Sequence, residues 1–330
     1  MTDNIGDGSS MLSSLFIKKA GGLFMRNEFF FPSSDGVTQI RALEWIPEGE
    51  VKGIYQMCHG MVEHMERYDA FANYLASNGY YVVGHDHLGH GKSITSKENK
   101  GFFHQERGNE CLITDIHQLR HLADEKYPGL PHFIMGHSMG SFLVRQYIGV
   151  YGEGLAGAVI MGTGDQPTMI LKAGKVLCKV LAAFKGWKYR SELVNNMSIG
   201  SYAKVFANVT DGTSWLCKDP AIVKAYADDP MCGFVFTISA YYHMYDGMLR
   251  MKQQEAAGKV PKDLPVFFVA GAEDPVGGAG KLVENVYKQY VSCGLKNVKM
   301  KLYPNDRHEI LNELDKEAVY EDILNFLSLS

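Results

Sequence analysis

Residues 132 to 141 read HFIMGHSMGS, and FLVRQYIGVY follows them. The apolar run over 132–136 predicts a short buried strand, and the apolar spacing over 139–151 predicts a helix. Ser138 sits between the two, flanked by Gly136 and Gly140. A serine there must occupy a sharp strand-to-helix turn, which strains its backbone and needs small residues beside it. The hydroxyl then projects past the carboxyl end of a strand, where open parallel sheets take their ligands. The helix beginning at Met139 aims its free N–H groups and the positive end of its dipole at the same place. The stretch therefore predicts a nucleophile beside an anion site. Glycine is abundant, 35 of 330 residues, so G-x-S-x-G gains its force from the strand before it and the helix after it.

Working outward, short apolar runs alternate with longer helical patterns. Phe29-Phe30-Phe31 and 38–46, joined by the turn-rich Pro32-Ser33-Ser34-Asp35-Gly36, predict an antiparallel hairpin. Further strands are expected over 53–58, 80–84, 156–161, 265–270 and 298–303. Helices are expected over 67–78, 110–127, 279–293 and 316–328, with Gly79 and Pro128-Gly129 as stops. This alternation implies an α/β fold with a mostly parallel central sheet, right-handed crossovers and the hairpin at one edge. Between 165 and 250 the rhythm breaks. That stretch is too long for a plain crossover and too rich in apolar residues, Leu171, Leu177, Phe184, Trp187 and Trp215 among them, for a disordered loop. It reads as a helical cap over one end of the sheet. The expected organisation is an N-terminal extension over 1–26, a core over 27–164 and 251–330, and a cap over 165–250.

A serine hydroxyl needs a base, and the base needs an orienting acid. In this type of fold the chain order is serine, acid, histidine. Asp274 falls just past the strand at 265–270, and His308 just past the strand at 298–303. Three residues in the right order, each beyond a strand end, carry more weight than any one of them. Glu273 competes with Asp274 for the acid role. Acyl transfer also needs donors to a developing oxyanion. The backbone N–H of Met139 is one, and the loop Cys58-His59-Gly60-Met61 after an earlier strand assigns the other to the N–H of Met61.

Other patterns are weaker. His85-Asp86-His87-Leu88-Gly89-His90-Gly91 is rich in metal-ligand types, but a turn in which Asp86 and the histidines bond the loop near the site is the favoured reading. His117 and His121 share a helix face at i,i+4, yet position 118 is glutamine and a zinc motif is not formed. The net charge of −4 leaves no footprint for nucleic acid. The start, MTDNIGDGSS, lacks a basic n-region and an apolar h-region, so no secretory signal is expected, and no apolar run approaches a membrane span. The six scattered cysteines have no C-x-x-C pair, which favours reduced thiols and a cytoplasmic protein. Met11 to Met25 reads as a short helix packed on the body or a partly disordered segment, with a weak membrane-surface helix ending in Lys18 and Lys19 as the alternative.

Several segments together resemble the α/β-hydrolase superfamily, and within it the monoacylglycerol lipase and lysophospholipase group. They are HGMVEHMERY (59–68), DHLGHGKS (86–93), GHSMGS (136–141), KDPAIVKAYADDPMCGF (218–234), AEDPVG (272–277) and RHEILNE (307–313), spread in family order over most of the chain. The resemblance implies Ser138, Asp274 and His308 as a catalytic triad, Met61 and Met139 as oxyanion donors, a cap over an acyl pocket, and no metal or organic cofactor. Members of that group often have a small residue where Met61 stands and a glycine where Val62 stands, so a bulkier loop that narrows the pocket mouth is expected. The function expected is a serine ester hydrolase acting on a small acyl ester or lipid through an acyl-enzyme, with transient contact of the cap or N-terminal segment with a membrane surface. The rival readings are an aminopeptidase on the same scaffold and a non-catalytic ligand-binding protein.

Overall fold

The computed structural model describes residues 15–19, 22–200, 202, 205–206 and 213–329. Strands β1 (Leu15–Lys19), β2 (Gly22–Pro32) and β3 (Gln39–Pro47) run antiparallel along one edge of the sheet. Six more, β4 (Gly53–Cys58), β5 (Tyr80–His85), β6 (His132–His137), β7 (Gly157–Met161), β8 (Val266–Gly271) and β9 (Val298–Tyr303), are parallel to one another. The order across the nine-stranded sheet is β1-β2-β3-β5-β4-β6-β7-β8-β9. Every residue of β4 to β8 is buried, as expected of parallel strands covered on both faces. β9 is an edge strand, and exposed Lys299 and Lys301 along it discourage pairing with another chain.

Alternate strand residues feed two cores. Val82, Met135, Val159 and Val269 face α1 (Asp69–Ser77) and α9 (Lys316–Ser328), where Phe71, Tyr320 and Ile323 meet them. Ile54, Ile134, Ile160 and Phe268 face the other way, toward α2 (Gly108–Lys126), α3 (Met139–Tyr151) and α8 (Lys281–Ser292). Burying each such side chain is worth about 1.5–3 kcal/mol, which fixes the register because a one-residue slip would exchange the two faces.

Between β7 and β8 the chain forms α4 (Thr168–Lys185), α5 (Glu192–Ser198), α6 (Pro220–Asp228) and α7 (Ile238–Ala256). Helix α7 runs through position 250 unbroken, so the return to the core follows Ala256. Its last turn is anchored by a buried two-pronged pair: the Arg145 guanidinium donates to Glu255 at 2.8 and 2.9 Å. The same guanidinium reaches the Gly164 carbonyl at 2.8 Å, tying α3, the exit from β7 and α7 together.

The helix expected over Met11 to Met25 is corrected where the structure describes it. Residues 15–19 and 22–25 are β-strand, with Leu15 opposite Arg26 and Phe24 opposite Pro47; residues 11–14, 20 and 21 lie outside the described residues. Strand β2 also crosses 26 and 27 without a break, so the fold has no division at 26. The backbone of β3 offers a continuous partner from Gln39 to Pro47, and that pairing overrides the helix-favouring Leu, Met and Lys of the segment.

Candidate active site

Strand β6 ends at His137 and α3 starts at Met139, so Ser138 alone makes the turn. Its φ of 53° and ψ of −119° lie where a side chain is strained. The surroundings hold it there. The Ser138 N–H donates to Met161 O at 3.0 Å, and its carbonyl accepts from the Ser141 N–H at 2.8 Å and from the Ser141 hydroxyl at 2.6 Å. A Cβ on residue 136 would lie 2.1 Å from the Gly140 carbonyl oxygen, and one on residue 140 the same distance from that of Cys58. Both flanking positions must therefore be glycine.

Asp274 follows the end of β8 and His308 the end of β9, and both are buried. The His308 Nδ1–H donates to Asp274 Oδ2 at 2.9 Å, which turns Nε2 into the ring's acceptor nitrogen. The second carboxylate oxygen of Asp274 accepts from the Val276 N–H at 2.9 Å, so the acid is held at both ends. His308 and Ser138 line one cavity of about 40 Å³ with Met61, Trp215 and Leu216. Glu273 points elsewhere, toward Lys218 at 3.4 Å and Arg307 at 4.0 Å. Geometry thus brings together Ser138, Asp274 and His308 and leaves Glu273 aside.

Met61 and Met139, whose amides are assigned to the oxyanion, line a larger cavity together with Ser138. The Met139 N–H opens α3 and has no helical carbonyl to reach. On either side of Met61, the Gly60 N–H donates to Glu63 Oε1 at 2.6 Å and the Val62 N–H to His90 Nε2 at 3.3 Å. Among the described residues the Met61 N–H itself has no acceptor. Val62 is held at φ 52°, an unfavourable value for a β-branched residue and a cheap one for glycine. Its carbonyl is clamped by the Gly233 N–H at 3.0 Å and the Tyr226 hydroxyl at 3.3 Å, so the cap sustains the strained turn.

Beneath the serine lies a buried ionic group whose roles the sequence reading did not assign. Arg67 donates to Glu309 at 2.7 and 2.6 Å and also binds Glu63. Burial pushes the Glu63 carboxyl up, but Arg67 and His137 outweigh it and hold it well below the usual range. Burial likewise pushes His137 down, and Glu63 more than reverses that, so its affinity for a proton is raised. The signal was present: Glu63, Arg67 and Glu309 stand inside the two quoted motifs 59–68 and 307–313, both of which border the sheet rim.

The loop after β5 is a scaffold, as the favoured reading of it held. Asp86 accepts from the Met65 N–H at 2.8 Å, the Lys92 N–H at 2.9 Å and Arg41 at 3.3 Å. Burial pushes His85 down to about 3 and His90 to about 4, which keeps both rings neutral. Among the described residues, His64, Asp229 and Cys232 bring donor atoms within 4.8 Å of one another. There the His64 ring is already bonded to Asp229 at 2.8 Å, and burial raises the Cys232 thiol far above the usual range. The His64–Asp229 bond clips the oxyanion loop to the cap. Six free cysteines complete the thiol inventory, five buried and Cys293 half-buried.

The sheet order, the strained serine turn and the Asp274–His308 pair define an α/β-hydrolase. Residues 49–315 match the family model described as serine aminopeptidase, S33 (Hydrolase_4), and the chain belongs to that family. It is 26% identical over 311 residues to a monoacylglycerol lipase of Mycolicibacterium smegmatis, covering 92% of this chain and 97% of that one. It is 36% identical over 306 residues to a monoglyceride lipase homolog of Monkeypox virus, covering 84% and 90%. Among solved structures it resembles a thermostable carboxyl esterase from Bacillus coagulans, crystallised with glycerol, with a TM-score of 0.85, 31% identity and coverage of 92% and 98%. The chain is accordingly a serine hydrolase of the carboxylic ester class.

Proposed function

We propose that this protein hydrolyses monoacylglycerols and related single-chain acyl esters through Ser138, His308 and Asp274. The observation that carries this reading is a cavity of about 330 Å³ that opens on Ser138 under the cap. Phe142, Ile170, Leu171, Met244, Met248 and Val276 are among the residues that line it, and among the described residues no charged side chain does. Such a cavity suits a fatty acyl chain. It offers nothing to the ammonium group of a peptide N-terminus, which argues against the aminopeptidase reading. Glu63 and Glu309 lie nearby, but both are already paired with Arg67. Retention of all three side chains argues against a non-catalytic role.

In this mechanism His308 Nε2 takes the Ser138 proton as the hydroxyl oxygen attacks the ester carbonyl. Asp274 stabilises the imidazolium. The oxyanion is met by the N–H groups of Met61 and Met139, each such donor being worth about 2.7–4 kcal/mol. Return of the proton to the leaving glycerol oxygen frees the alcohol. Water then repeats the sequence on the acyl-enzyme and releases the fatty acid.

The test is labelling by a fluorophosphonate probe together with a panel of esters of increasing chain length. Ser138→Ala should abolish labelling. Each methylene that enters the cavity should raise kcat/KM by up to about fourfold until it is filled, from about 0.8 kcal/mol per buried CH₂. A panel flat in chain length, or faster turnover of aminoacyl amides, would reject the substrate assignment.

The cap also supports transient docking on a lipid surface. Met169, Val176, Val180 and Phe184 form an exposed stripe along α4, with Phe184 82% accessible. Exposed Lys172, Lys179 and Lys185 share that helix and suit anionic headgroups. Phe184→Ser should weaken binding to anionic vesicles while leaving turnover of a soluble ester unchanged. No helix among the described residues is long and apolar enough to cross a membrane. The free thiols favour a reducing, cytoplasmic setting.

A further inference from the structure

His137 immediately precedes the serine, and its ring is buried between two acceptors. Its Nε2 lies 3.1 Å from the backbone carbonyl oxygen of His308, which can only accept. Its Nδ1 lies 2.9 Å from the Tyr68 hydroxyl. That hydroxyl spends its own proton on Glu63 Oε1 at 2.7 Å, so toward His137 it too can only accept. Glu63 Oε1 is itself 3.4 Å from Nδ1. A neutral imidazole carries one N–H and could satisfy one of these sides only; with both nitrogens donating, the ring is an imidazolium. The ring centroids of His137 and His308 are 4.7 Å apart.

We propose that His137 is a positioning residue held as a buried imidazolium, which fixes the backbone of the base His308 relative to the nucleophile. The proposal rests on His308 being the general base. Among the described residues, charged and titratable groups face the ring and its partners from two elements. Glu63, Arg67, Tyr68 and His59 come from the segment after β4, and Glu309 and His308 from the loop after β9. The two carboxylates and two cations among them balance, and Glu63 and Glu309 share Arg67. The closed balance makes the buried charge on His137 tolerable, because each ion is paired and hydrogen-bonded. His137 also bonds the loop that carries the base while its own chain carries the nucleophile, so one ring sets the separation of the two.

Two measurements test this. In protein selectively labelled with ¹⁵N-histidine, the signals that vanish in His137→Gln should show both ring nitrogens protonated at pH 8, where an ordinary histidine is neutral. One unprotonated nitrogen would overturn the proposal. In steady-state assays His137→Gln should lower kcat by about 10²-fold with KM unchanged, since the base and the nucleophile lose their common spacer. Glu63→Gln combined with His137→Gln removes both charges and should recover stability in urea relative to His137→Gln without recovering kcat. A kcat that stays near that of the parent, or a KM that rises in step with the fall in kcat, would reject the proposal. If the parent enzyme resists the fluorophosphonate probe, the reading of His308 as base is what has failed, and the nitrogen shifts still decide the charge on His137.

Discussion

Two stretches of the sheet's carboxyl rim carry buried histidines and buried aspartates, and they do opposite things. Past β5, His85, His87 and His90 crowd around Asp86, bond to backbone and to one another, and are kept neutral by burial. Past β8 and β9, His308 and Asp274 form a single pair facing a cavity. Residue types are alike; what differs is where the spare imidazole nitrogen lies. Around β5, His85 Nδ1 and His87 Nε2 have no bonding partner among the described residues, yet both rings are sealed in the interior. At β8 and β9 the His308 ring lines a cavity that it shares with the Ser138 hydroxyl. The contrast teaches that a histidine's role here follows from what its spare nitrogen can reach rather than from its burial.

That contrast can be broken most sharply at the β8–β9 rim. Ser138→Ala and His308→Ala should each lower kcat by roughly 10⁴–10⁶, and the double variant should be little worse because the residues act as one unit; near-additive losses in steady-state assays would dissolve the unit. Asp274→Asn should cost about 10⁴ in kcat with the fold intact, since an amide favours the wrong tautomer of His308. At the other rim the effect should fall on stability. Asp86→Asn weakens the acceptor shared by Arg41 Nη1 and the Met65 and Lys92 N–H groups, though Glu28 and Glu66 still hold the guanidinium, and should cost about 1–3 kcal/mol in urea unfolding, while whatever remains folded still takes the fluorophosphonate label.

Two smaller effects sharpen the comparison. The depressed pKa values of His85 and His90 mean that the unfolded chain binds protons at these positions below about pH 6.5 while the folded one does not. Stability should therefore fall as pH drops from 6.5 toward 4, by about 1.4 kcal/mol per unit for each ring. His85→Phe should remove its share of that slope; an unchanged slope would place the titration elsewhere. Smallest of all, Glu273→Gln disturbs only half-exposed pairs and should alter stability by no more than about 1 kcal/mol, with kcat unaffected.

Much of the parallel sheet was legible because its strands are wholly buried and end in turn residues, and because Gly136 and Gly140 have a steric reason to exist. Asp274 and His308 could be proposed from strand ends and chain order, with Glu273 left as a competitor for the acid. What escaped was what depends on distant partners. The first strand pairs with β2 and the second with β3, through backbone groups that leave no periodic trace in Leu15 to Met25. The ionic group of Glu63, Arg67, His137 and Glu309 joins segments far apart in the chain, up to 242 positions between Arg67 and Glu309, and no local pattern announces which charges will meet. Val62 at positive φ was visible only as a bulky residue in a tight loop, since the clamp that holds it comes from Tyr226 and Gly233.

The capping helices leave the core after β7 and come back at β8, and those two strands are neighbours. A longer or shorter excursion therefore leaves the sheet's pairing untouched, and doubling its length costs only about 0.6 kcal/mol in closure entropy. Preference for one ester over another can thus drift by rewriting a roof whose footings never move.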